Sequence, residues 1–126
     1  MQEQVGLLAY SPLAQGTLTG KYLNGQMPQG SRLALFGDTP LMMRYKGDKT
    51  QKAIEMYVEV AKKFEIDPTQ LAIQFCNIQP FVTSNIIGAT TMEQLKICID
   101  SIHLDINKEI MNEIRKVHKE IPNPAP

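Results

Sequence analysis

The sequence predicts an α/β domain with parallel strands. A continuous apolar run at residues 5–10 (Val-Gly-Leu-Leu-Ala-Tyr) stops at Ser11-Pro12, as a strand buried on both faces does. A second short run at residues 84–89 (Ser-Asn-Ile-Ile-Gly-Ala) meets a glycine and passes directly into a helix start. Between and after these runs lie segments with the apolar spacing of one-faced helices, so the order is strand, helices, strand, helix. Periodicity alone does not exclude a helix over residues 5–10. The 126 residues suit a single unit over 1–126 and are too few for two domains. Two strands by themselves make a poor core.

Residues 11–47 contain six of the eight glycines and three prolines, which predicts mostly loop, longer than compact domains keep without a function. From Asp48 to Phe64 the apolar positions Ile54, Tyr57, Val58, Ala61 and Phe64 fall on one face of a helix. Asp67-Pro68-Thr69-Gln70 supplies an N-cap acid, a proline for the first helical position and a glutamine three residues after the cap, starting a helix that should reach Gln79 before Pro80. After the second strand, Thr90-Thr91-Met92-Glu93-Gln94 is another capping signature, opening a helix to about Ile102. Asn107 caps a last helix with Ile110, Met111, Ile114 and Val117 as its buried face, and Pro122, Pro124 and Pro126 end it in an extended tail.

Thirteen basic and thirteen acidic residues, with no long run of either sign, leave no electrostatic footprint for nucleic acid or an anionic membrane surface. No apolar run approaches the roughly 20 residues of a membrane span. The opening Met-Gln-Glu-Gln lacks the basic and apolar regions of a signal peptide, so the chain reads as cytoplasmic. Cys76 and Cys98, without CxxC spacing, suggest buried structural thiols rather than a disulfide scaffold or zinc site. His103 and His118 read as surface or satisfied core residues. The basic cluster Arg44, Lys46, Lys49 and Lys52, broken by Asp48, is most simply a solvated loop and helix start.

Two segments could hold an anion. Residues 10–21 leave a strand end with hydroxyls, free backbone amides, Gly16, Gly20 and Lys21, the composition of a phosphate cradle, although composition alone favours a flexible turn. The glycine spacing is not that of a P-loop. Residues 88–94 put the first amides of a helix just after a strand and a glycine, where N–H groups and the helix dipole attract phosphate, although any capped helix offers as much.

Leu8-Ala9-Tyr10-Ser11-Pro12-Leu13, then Gly16-Thr17-Leu18-Thr19-Gly20-Lys21-Tyr22, with Ile87-Gly88-Ala89-Thr90-Thr91 and Gln94-Leu95 downstream, resemble the C-terminal portion of an aldo/keto reductase. The likeness is to the bacterial Tas-type branch and extends through Thr50-Gln51-Lys52-Ala53, Gln79-Pro80-Phe81-Val82 and the closing Pro124-Ala125-Pro126. The resemblance implies the C-terminal fragment of a (β/α)8 TIM barrel, with residues 5–10 as its seventh strand and 85–88 as its eighth, and NADP(H) as the cofactor for reducing aldehydes and ketones. It further implies that Tyr10 stacks on the nicotinamide, that Ser11, Pro12, Leu13, Gly16 and Lys21 cover the pyrophosphate, and that Arg32 adds a basic contact. Gly88, Thr90 and Gln94 match the family's pocket for the adenosine 2′-phosphate.

Two departures qualify that resemblance. Ile97-Cys98 stands where the family has a polar residue and an adenine-binding asparagine, and a thiol cannot replace the paired donor and acceptor of an amide. The family's catalytic tyrosine, lysine, aspartate and histidine map to no residue of this chain, so it should bind NADP(H) weakly and not turn over substrate alone. A complete barrel takes about 250 residues, so the expected partners are a second copy of the chain or a complementary barrel segment. The competing expectation is a non-catalytic interaction or nucleotide-binding subunit; a small helical module would require the two apolar runs to be helical.

Overall fold

The computed structural model describes residues 5–125; the opening tetrapeptide and Pro126, on which the readings of the leader and of the last tail residue fall, lie outside them. Both apolar runs are strands. β1 (Leu7–Tyr10) and β2 (Val82–Ile86) pair in parallel, with Leu8 opposite Ser84, Ala9 opposite Asn85 and Tyr10 opposite Ile86, and an irregularity between Leu7 and Leu8. β2 begins earlier than the apolar run suggested and ends before Gly88. Its polar Asn85 is accommodated because its Nδ2 donates to the Ile73 carbonyl and to Asn77 Oδ1 on the helix behind the sheet.

The segment expected as mostly loop carries short helical turns over about half of its length. It holds 3-10 turns at Ala14–Thr19 and Leu23–Gly25, then α1 (Arg32–Phe36) and α2 (Pro40–Met43). Ser31 caps α1 and Thr39-Pro40 opens α2, but four or five residues carry no readable helical period. α3 (Asp48–Lys63) and α4 (Pro68–Asn77) follow the predicted spacing, and Asp67 Oδ1 accepts from the amides of Thr69 and Gln70 as its capping position requires. α4 stops two residues short of the expected Gln79 and continues through a turn. α5 (Met92–Asp100) passes into a 3-10 turn at Ser101–His103 rather than running to Ile102 as one helix, and α6 (Lys108–Glu120) is capped by Asn107.

The core sits among the helices and not on the sheet. Val60 and Ala61 of α3, Leu71 of α4 and Ile110, Ile114 and Val117 of α6 form one buried cluster, flanked by half-buried Tyr57 and Phe64. Lys63 with Glu113 and Lys52 with Glu120 tie α3 to α6 across its rim. Because Asn85 and its partner Ala9 face α4, the opposite sheet face carries Leu8, Tyr10 and Ile86, which are 62%, 74% and 47% exposed. Cys98 is buried as expected; Cys76 is only half-buried, at the edge of α4.

The basic cluster is not simply solvated. Arg44 Nη2 donates to the Ala125 carbonyl at 2.6 Å, the buried Thr50 hydroxyl donates to the Pro124 carbonyl, and Lys52 pairs with Glu120. The tail therefore lies clamped across the start of α3. No helix among the described residues is long and apolar enough to cross a membrane.

Candidate functional site

Parallel neighbours deliver their following loops to the same end of a sheet. Tyr10 and Ile86 are register partners, so residues 11–21 and 87–94, the two anion-binding candidates, leave the sheet side by side. Tyr10 ends β1 with its ring largely free.

The first loop is tightly wound. Ser11, Ala14 and Gln15 hold φ of 60°, 47° and 61°, followed by Gly16 at 90°. Left-handed backbone costs a non-glycine residue about 1–2 kcal/mol, so this turn persists because its surroundings fix it. Those surroundings are hydrogen bonds. The amides of Ala14 and Gly16 donate to the carbonyls of Ser11 and Leu13, and the hydroxyls of Thr17 and Thr19 donate to the carbonyls of Ala14 and Gly16 at 2.8 Å. The expected free amides of Ala14, Gly16 and Leu18 are thus turned inward, since a chain this curved must satisfy its own polar groups.

A side-chain relay crosses the loop. Gln15, nearly buried, donates through Nε2 to Ser11 Oγ at 2.9 Å and accepts from Arg32 Nη1 at 2.6 Å through Oε1. Arg32 is consequently held beside the strand end, 17 positions from its partner. Lys21 folds back with Nζ 5.1 Å from the Tyr22 ring centroid, and a Cβ on Gly16 would meet its Cε and Nζ at 3.3 Å, so glycine there leaves room for the ammonium stem. Pro12 and Leu13 are half-buried in the same turn. Gln15 and Tyr22, whose hydroxyl accepts from the Leu33 amide, escaped the sequence reading because no local pattern marks contacts of this span.

The second loop is exposed. Thr91 caps α5, its Oγ1 accepting from the Gln94 amide, while Gln94 Oε1 accepts from both the amide and the hydroxyl of Thr90 at 3.0 and 3.1 Å. Gly88 has no neighbour where a Cβ would stand. The structure thus joins Thr90 to Gln94 and links Ser11 to Arg32, with Lys21 against the same first loop.

Beside the first loop lies a cavity of about 650 Å³ between the end of β1 and helices α3, α4 and α6, walled by Leu71, Phe75, Met111 and Ile114 with Arg115 and His118 at its rim. His103 and His118 are exposed. Burial pushes the Tyr57 phenol up, which is opposite to what a proton donor to a carbonyl requires. It pushes the Cys76 and Cys98 thiols up as well, with the Asp67 carboxylate adding to the effect at Cys98. No group of three or more metal-ligating side chains occurs among the described residues.

The donors fit a phosphate and do not fit adenine. Lys21 and Arg32 are cations at one strand end, and the first turn of α5 opens at the other. Cys98 is buried and Ile97 half-buried, so neither presents the amide edge an adenine needs.

The chain is similar to proteins roughly three times its size. It is 50% identical over 124 residues to the protein called Protein tas of Escherichia coli (strain K12), covering 98% of this chain and 35% of that protein. It is 36% identical over 122 residues to a probable voltage-gated potassium channel subunit beta of Oryza sativa subsp. japonica, 94% of this chain and 37% of that one. It is 38% identical over 97 residues to L-glyceraldehyde 3-phosphate reductase of Escherichia coli (strain K12), 73% of this chain and 27% of the enzyme. The chain therefore spans about a third of the length of the relatives it matches best in extent. The family model described as the aldo/keto reductase family matches residues 1–119, and the chain belongs to that family.

Proposed function

We propose that this chain supplies the phosphate-holding part of an NADP(H) site, as the C-terminal portion of a (β/α)8 reductase barrel, and does not reduce carbonyls by itself. The observation that carries the reading is the side-by-side exit of two anion-suited loops from the ends of neighbouring parallel strands. When bound, NADP(H) would supply the hydride for an aldehyde or ketone. Lys21 and Arg32 would hold the pyrophosphate from one side; Ser11, Pro12, Leu13 and Gly16 shape the turn over it. Gly88 lets the backbone approach the 2′-phosphate, which Thr90, Gln94 and the α5 amides would receive. The free ring of Tyr10 is placed to stack on a flat heterocycle. Burial pushes the Tyr57 phenol up, so binding and orientation are the contribution assigned to this chain. The neutral, span-free sequence is read as cytoplasmic.

Calorimetric titration of NADPH and NADH tests the reading. With adenine contacts missing at Ile97 and Cys98, affinity should be high micromolar or weaker, less favourable than roughly −6 kcal/mol. It should favour NADPH and fall with salt. Submicromolar binding, or equal affinity for both cofactors, would overturn it. Carbonyl-dependent NADPH oxidation by the chain alone at about 1 s⁻¹ or faster would refute the absence of turnover.

A second reading is a non-catalytic nucleotide-binding or interaction subunit. The uncovered sheet face favours it, and one similar protein bears the name of a channel subunit. If mixing this chain with the unmatched remainder of Protein tas yields NADPH-dependent carbonyl reduction, the first reading stands; NADPH binding without turnover in that mixture supports the second.

A further inference from the structure

We infer that Gln15 is a positioning residue that sets the donor polarity of the proposed phosphate site: one neutral amide holds Arg32 without cancelling its charge and leaves the Ser11 hydroxyl free to donate. This role rests on the reading of residues 11–21 as phosphate-holding, and it names the group that makes that loop select an anion.

Gln15 is 8% exposed and sits in left-handed backbone at φ 61°, between Ala14 at 47° and Gly16 at 90°. Ordering so long a side chain and burying its amide are both unfavourable unless each end of the amide is bonded. Both ends are: Nε2 lies 2.9 Å from Ser11 Oγ, and Oε1 lies 2.6 Å from Arg32 Nη1. Chemistry fixes the direction of these bonds. A guanidinium carries donors only, so the atom facing Arg32 is the amide oxygen and the atom facing Ser11 is the NH2 group. Ser11 Oγ therefore accepts from within the loop, and its own hydrogen is left for another acceptor; no group among the described residues takes it. Arg32 is exposed and forms no ion pair among the described residues, so the contact with Gln15 orients a cation that keeps its full charge. Lys21 Nζ stands against Gly16, the next residue, 3.3 Å from where a Cβ would be.

Ser11, Lys21 and Arg32 thus offer donors and positive charge, which phosphate oxygens accept. Glutamate at position 15 has nearly the shape of glutamine and reverses this. Its carboxylate would pair with Arg32 and accept the Ser11 hydroxyl hydrogen, cancelling one cation and withdrawing one donor. The two bonds it makes are charge-assisted, so the turn would be held at least as firmly as before. A purely structural Gln15 would therefore make affinity follow stability under this change, whereas a positioning Gln15 makes affinity fall while stability holds.

Calorimetric titration of the whole chain with inorganic pyrophosphate, alongside thermal melts, tests this. Gln15→Glu should melt no lower than the unaltered chain and bind pyrophosphate about tenfold more weakly, as the loss of one charge-assisted contact implies, with a shallower dependence on salt. Gln15→Met frees Arg32 without neutralising it; it should weaken binding severalfold, and have no further effect once Arg32→Gln is present. Three results would overturn the inference and leave the phosphate reading intact: Gln15→Glu binding as tightly as the unaltered chain, Gln15→Glu losing affinity only in step with a lower melting temperature, or Gln15→Met costing the same with and without Arg32. Absence of pyrophosphate binding by the unaltered chain would overturn both. Independently of any variant, nuclear Overhauser contacts between the Gln15 amide and the Arg32 guanidinium are expected in the unaltered chain, and their absence would overturn the inference.

Discussion

Truncating Ile110 and truncating Leu8 should separate the two halves of this molecule energetically. Ile110 is 4% exposed in α6 and packs with Val60, Ala61, Leu71, Ile114 and Val117, so Ile110→Ala opens a cavity in the main cluster. Such changes cost about 2–5 kcal/mol, and a site walled by three helices has little freedom to collapse, which argues for about 3 kcal/mol. Against a total stability of roughly 5–15 kcal/mol, that loss should lower the melting temperature by about 10 °C. Leu8 is 62% exposed, and its truncation in a single copy removes little buried surface, below about 1 kcal/mol. Urea denaturation followed at 222 nm, at a dilution where light scattering gives the mass of one chain, measures both. Equal costs, or a loss above about 2 kcal/mol for Leu8→Ala at that dilution, would show that the sheet and not the helical cluster holds the fold.

Other outcomes follow from single contacts. Asp67→Ala removes the acceptor for the Thr69 and Gln70 amides and should lower stability by about 1 kcal/mol in a thermal melt; Asp67→Asn should recover most of it. Thr50→Val deletes the hydroxyl that donates to the Pro124 carbonyl, and with Arg44→Ala should release the tail to carboxypeptidase faster than in the unaltered chain. Glu113 is held below its ordinary value first by the hydrogen bond from Lys116 and then by charge from Lys116 and Lys63. A carboxyl lowered on folding contributes stability above its unfolded pKa and loses it as pH falls through the folded one. Glu113→Gln should therefore melt below the unaltered chain at pH 7 and converge with it under acid, whereas a gap that is constant down to pH 2 would contradict that linkage.

The parts of the fold legible in the sequence are those fixed within one helical turn or one strand. The Asp67-Pro68 start of α4, the Thr91 and Asn107 caps and the apolar stripes of α3 and α6 all lie where local spacing puts them. The misread parts depend on distant partners. Residues 11–47 look like open loop because the contacts that order them, Gln15 to Arg32 and Leu33 to Tyr22, join positions 17 and 11 apart. Arg44 and Lys52 look like solvated charge because their partners lie 81 and 68 positions away, in the tail and at the end of α6. β2 begins at Val82, two residues before the run at 84–89, because polar Thr83 separates Val82 from that run, and the bonds from Asn85 to α4 account for a polar residue facing the protein. The candidate site was legible in its residue types and order, while its internal hydrogen bonding was not.

That internal bonding decides how a phosphate would bind. The amide and hydroxyl of Thr90 already donate to Gln94, and the amides of Ala14 and Gly16 already donate within their own turn. A ligand oxygen taking those neutral donors exchanges one hydrogen bond for another, worth about 1 kcal/mol net or less. Lys21 differs, since its ammonium meets only a ring face and forms no ion pair among the described residues. Arg32 differs as well, because among the described residues its guanidinium donates to an uncharged amide oxygen, that of Gln15, and forms no ion pair. A charge-assisted bond to phosphate contributes about 1.5–3 kcal/mol, so these two cations outweigh the neutral donors around them. In the proposed site the glycines and threonines set the shape of the loops, and the affinity and its salt dependence reside in Lys21 and Arg32.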